Sequence, residues 1–148
     1  MRSPSEAETA LSQIRMFSFA LIAGVLVFAG VVTFMQLSAG EPLLAMETPV
    51  RLTIALVGAG FLALARWVTS NLSTPTRESY GRLTGQRLTT AVIAGQAVRE
   101  AMGMAAGVMG LITNDLALMG ALTVAAAFTM FINVPSGDDV RARLGQRG

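Results

Sequence analysis

Four long apolar runs, separated by polar breaks, organise the chain. They cover residues of about 16–37, 52–68, 88–113 and 116–133. A helix needs roughly 17–25 mostly apolar residues to cross a bilayer, and each run falls in that window. The pattern predicts an all-α fold, a polytopic membrane protein with one domain over 1–148. Its four transmembrane helices are expected as two antiparallel hairpins, followed by a short tail over 134–148.

The breaks refine this outline. The first run is longer than the roughly 7–15 residues of a signal-peptide core. Glu6 and Glu8 also stand in its leader, so it is read as a retained helix despite the "LSAG" at 37–40. In the second run Arg66 can snorkel to the headgroups while Trp67 sits at the interface. Pro42 and Pro49 bracket a short apolar piece, which predicts a turn of helix on the interface. In the middle loop Thr74 followed by Pro75 reads as a helix start. The third run then begins early and projects from the membrane. "TND" at 113–115 predicts a tight turn, so the third and fourth helices form an antiparallel hairpin. In the tail, Asp138 and Asp139 read as the cap of a short amphipathic helix over 139–144.

Composition narrows the chemistry. Of 148 residues, 53% are hydrophobic and 14% charged, well under the roughly 25% charged of soluble domains. Histidine and cysteine are absent, which removes disulfides, thiol chemistry, the commonest general base and the commonest metal ligands. The reading is therefore non-enzymatic, with no cofactor and no metal. Net charge is only +2 and the arginines are scattered, so nucleic acid is not the expected partner.

Arginine placement sets an expected orientation. Arg2, Arg15, Arg66, Arg77, Arg82, Arg87, Arg141, Arg143 and Arg147 all fall on one side of the four runs. Only Arg51 falls on the other, in a loop with Glu41 and Glu47. By the positive-inside rule both termini and the middle loop are cytoplasmic, and the protein is multi-pass in the inner (cytoplasmic) membrane of a cell. Arg77, Arg82 and Arg87 then lie where anionic lipid binds basic residues.

The third run carries the candidate site. At 100° per residue, Gln96, Glu100, Gly103, Gly107, Gly110 and Asn114 share one stripe, with Arg99 at its edge and Thr89 extending it. Val98, Ala101, Met102, Ala105, Val108, Met109 and Ile112 form the opposite face, left for lipid or a looser contact. Gly103, Gly107 and Gly110 are expected as helix-packing positions, because small residues let backbones approach closely. Gln96, Arg99 and Glu100 form an intramembrane polar site. Glu100 is expected near mid-span, where a carboxylate is by default functional. Arg99 and Glu100 are adjacent and so cannot stack as an i,i+4 pair. Each is expected to reach its own partner or a shared pocket from two sides.

Two resemblances attach to these residues. The stretch from "GQRLTTAVIAGQAVREAMGMAAGVMGLITND" to "FINVPSGDDVRARL" resembles the second half of a family of uncharacterised bacterial four-helix membrane proteins. That resemblance implies the fold and no activity. Locally, "EAMGMAAGVM" from Glu100 is similar to the ion-binding helix of rotary ATPase proteolipid subunits. It implies that Glu100 carries a proton or cation; Arg99, and the presence of only Gly24 and Gly30 in the first run, depart from that pattern.

Two expectations of function follow. The first is a small membrane protein that self-associates or joins a larger membrane complex through the glycine face of the third helix. The alternative is proton or cation translocation through Glu100.

Overall fold

The computed structural model describes residues 6–38, 47–74 and 84–144. They form five helices: α1 (Glu6–Ser38), α2 (Thr48–Ser73), α3 (Gly85–Thr113), α4 (Leu116–Ile132) and α5 (Gly137–Arg143). The all-helical expectation holds, but the boundaries move. α1 starts ten residues before the apolar run predicted from residue 16. Its 33 residues, at about 1.5 Å each, outreach a hydrocarbon core of about 30 Å. α2 begins at Thr48 with Pro49 in its first turn, where a missing N–H costs nothing. Arg51 therefore belongs to a helix and not to a loop. Thr74 caps the end of α2 rather than starting the next helix. α3 is capped by Thr84, whose side chain accepts from Arg87 N. Glu6 on α1 adds a second acceptor there, taking the Gly85 N–H at 2.6 Å.

The turn at 113–115 forms as its sequence predicts. Asn114 takes a left-handed conformation (φ 52°) that ends α3, a conformation Asn tolerates better than most residues. Asp115 then caps α4 by accepting from Leu118 N. The tail helix is capped by Ser136, with Asp139 three positions on in a reciprocal capping box. The expected cap at Asp138 stands two residues too late, inside the helix.

Packing departs from the predicted pair of hairpins. α3 and α4 do form one. α1 and α2 do not touch; each packs on α3, and α4 bridges them. α1 runs parallel to α3, with Glu6 beside Gly85 and Phe28 beside Gly107. α2 and α4 run antiparallel to it, with Arg87 donating to Leu72 O and Gln96 to Met130 O. The least apolar long helix is thus the centre, enclosed on three sides. This arrangement covers Arg99 and half-covers Glu100, and a charge left in hydrocarbon would cost about 2.5–3.5 kcal/mol at the helix centre.

A small separate core closes one end. Val140 of α5 packs with Ala7, Ala10 and Ile14 of α1 and with Leu88 and Val92 of α3. These residues sit level with the polar leader of α1, outside its apolar run. Arg99 and Glu100 fall midway along α3, between this core and the α3–α4 turn.

Two helices, α1 and α2, are long and apolar enough to cross a membrane. α4 with α5, bent by 64°, would make a third. α3 is not among them, because Arg99 and Glu100 lower its hydropathy. Among the described residues two or three spans therefore qualify by length and composition, where run length alone predicts four.

Candidate functional site

The stripe on α3 is real, but its members reach different helices. Gln96 is fully buried, and its Nε2 donates to Met130 O of α4 at 2.9 Å. The glycines face α1 and α4 of the same chain. A Cβ on Gly103 would lie 2.8 Å from Val25 Cγ1 and 3.5 Å from Ala126 Cβ. One on Gly107 would meet the Phe28 ring at 2.5 Å. One on Gly110 would meet Met119 Sδ at 2.8 Å and Gln36 Nε2 at 2.9 Å. These are close approaches of the kind small residues permit. They are filled within the fold, so the glycine face is not a free surface for a second chain.

The opposite face also divides. Met102 is buried, and together with Met109, Ala105 and Ala106 it lines a cleft against Thr53, Ile54 and Phe61 of α2. From Gly95 onward, what stays open on α3 is a narrow strip of Ala97, Ala101, Ala105 and Val108. Their spacing puts them on one side of the helix, between the arcs covered by α1 and α2.

Arg99 and Glu100 part company. Glu100 is half-buried and looks toward α1; a Cβ on Gly24 would lie 3.5 Å from its Oε1. Arg99 turns the other way, into a groove between α2 and α4, and is only 4% exposed. The described residues hold ion pairs at Arg51–Asp115 and Arg141–Asp138, and neither involves this pair. A shared ion pair at 99–100 is thus absent among the described residues. The 100° between neighbours is the reason.

One feature is not legible in the sequence. Ser18 Oγ, Thr89 Oγ1, Gln96 Oε1, Thr123 Oγ1 and both side-chain polar atoms of Gln36 are buried without a hydrogen-bond partner. They come from α1, α3 and α4, which pack on one another; Glu100 faces α1 of the three. Single polar residues in apolar runs were the only signal, and they gain meaning only when three helices align them.

Arg77 and Arg82 lie outside the described residues, as does the apolar piece after Pro42. Arg87 occupies the first turn of α3, with its Nε 3.1 Å from Leu72 O. At the tail, the Ser136 hydroxyl and backbone N–H donate to Asp139 Oδ2 at 2.7 and 3.1 Å. Those bonds, the hydroxyl's first, hold the Asp139 carboxyl below the ordinary aspartate range. Among the described residues no three Asp or Glu side chains gather as a metal site.

The fold and the two qualifying spans define an all-helical membrane protein. No protein-family model matches the chain, nor does any curated protein or solved structure.

Proposed function

We propose that this is a non-enzymatic, four-pass inner-membrane protein that works by assembling with a second copy of itself or with other membrane subunits. The supporting observation is the open strip Ala97, Ala101, Ala105 on the central helix. Small residues at four-residue spacing, uncovered between two helices, are where another transmembrane helix packs closely. In this reading α3 and α4 also cross the bilayer, and the arginine-rich end is cytoplasmic. α3 tolerates its charges because α1, α2 and α4 stand between them and lipid. Arg77, Arg82 and Arg87 at that end attract anionic lipid.

The chain has no cysteine, so one introduced thiol reports contact cleanly. Oxidation of Ala101→Cys in membranes should give a disulfide-linked dimer, or an adduct with a thiol-bearing partner. Val27→Cys, exposed on α1, should give much less. A strict monomer by native mass spectrometry, with no adduct at Ala101→Cys, sinks the proposal.

A second reading has its own support. The unpartnered buried polar atoms of α1, α3 and α4 are of the polar kind that ordered waters occupy, and Glu100 faces α1 among them. Water threaded past a carboxylate is a route for protons, which favours translocation through Glu100. Proton flux in liposomes, compared between wild type and Glu100→Gln, decides it; equal flux removes the idea.

A further inference from the structure

Arg99 is the least accounted-for group in the fold. It is only 4% exposed, and no acceptor among the described residues bonds its guanidinium. A buried cation without a counter-ion is expensive, and its usual resolution is an anion. The groove it lines has a volume of about 360 Å³, within the roughly 300–1,000 Å³ of small-ligand sites. The other walls are Leu62, Ala63, Arg66, Thr129, Ile132 and Asn133. There is no acidic side chain among them. Arg66 is exposed and supplies a second positive charge at the rim. Gly95 leaves room for the buried head, since a Cβ there would lie 3.3 Å from Arg99 Nη1. Asn133 ends α4, so the groove opens at the arginine-rich end, one turn or so from where the helix terminates.

We propose that this groove is an oxyanion site for a phosphate group, held by Arg99 and Arg66. The guanidinium fork suits phosphate oxygens, which it binds in pairs. The phosphate is that of an anionic phospholipid. Leu62, Ala63 and Ile132 offer apolar wall beside the charges, as a glycerol and acyl chain require and a free ion does not. The site is independent of self-association; it needs only that this end of the bundle lies at headgroup depth.

The test uses the full chain in a neutral detergent, with thermal unfolding followed during titration by phosphatidylglycerol, phosphatidylcholine or sodium phosphate. Phosphatidylglycerol should raise the wild-type midpoint and phosphatidylcholine should not. Its apparent affinity should fall roughly fivefold to tenfold in Arg66→Gln, a rim charge being worth about that factor. Arg99→Gln should lose more, and Arg143→Gln, outside the groove, should match wild type. Because Arg66 is exposed, its variant folds even where Arg99→Gln does not. An equal, Arg66-dependent shift with sodium phosphate keeps the oxyanion site and assigns it to the free ion. No shift with either probe, as when a partner's carboxylate fills the groove, overturns the proposal. So does a phosphatidylglycerol shift that Arg66→Gln leaves unchanged.

Discussion

Arg51 Nε on α2 and Asp115 Oδ2 at the start of α4 form an ion pair 2.7 Å long. It ties two antiparallel neighbours of α3 together at the end opposite the other described arginines. The aspartate is largely covered while the arginine is half-exposed, 7% against 55% of the side chain. Asp115 Oδ1 also caps α4 through Leu118 N at 3.0 Å. Asp115→Ala removes both roles and should cost about 1–2 kcal/mol. Arg51→Gln leaves the cap and should cost under about 1 kcal/mol. Thermal unfolding in detergent checks the order; an equal loss would mean that the cap contributes nothing.

The glycines of α3 separate close packing from mere helix composition. Gly103→Ala places a methyl against Val25, a buried β-branched side chain that cannot swing aside. It should destabilise by roughly 1–3 kcal/mol. Gly30, Gly60 and Gly120 have open space where a Cβ would stand. Alanine there should be neutral or gain up to about 1 kcal/mol from helix propensity. Unfolding midpoints of the four variants give the comparison.

Arg99 and Glu100 face different helices, so their losses should be independent. Arg99→Leu and Glu100→Leu are expected to add to within about 0.5 kcal/mol in the double variant. A double variant clearly more stable than Arg99→Leu alone would reveal a coupling that the side-chain directions do not provide.

The tail helix is held by Val140 in the end core and by the Ser136–Asp139 box. Val140→Asp should free it, and trypsin should then cleave after Arg141 and Arg143 faster. The Asp139 carboxyl is depressed below its ordinary range by the Ser136 bonds. Its contribution is therefore present at neutral pH and is lost only as pH falls through that lowered value. Tail protection should persist through mildly acidic pH and fade below the usual aspartate range. Acid-stable protease digestion or hydrogen exchange of α5 reads this. Asp139→Asn should lose protection at neutral pH.

What the sequence determined by itself is local. The apolar runs give the helices, because an apolar stretch of that length must satisfy its backbone internally in lipid. "TND" gives the α3–α4 turn, because Asn tolerates the left-handed conformation and Asp caps. The glycine stripe shows that one face of α3 is small. Tertiary structure decided what meets that face. Periodicity reports the size and polarity of a surface but not its neighbour, and α1 and α4 of the same chain fill it. Nine residues separate α1 from α2, and succession in sequence did not make them a packed pair. A polar helix lowers its desolvation cost most at the centre of a bundle, and α3 lies there. The 100° between neighbours separates Arg99 from Glu100, and packing decides which space each enters: one holds a second arginine from α2. No one-dimensional pattern brings Arg66 and Arg99 to one groove, since only antiparallel packing of α2 on α3 aligns those two positions.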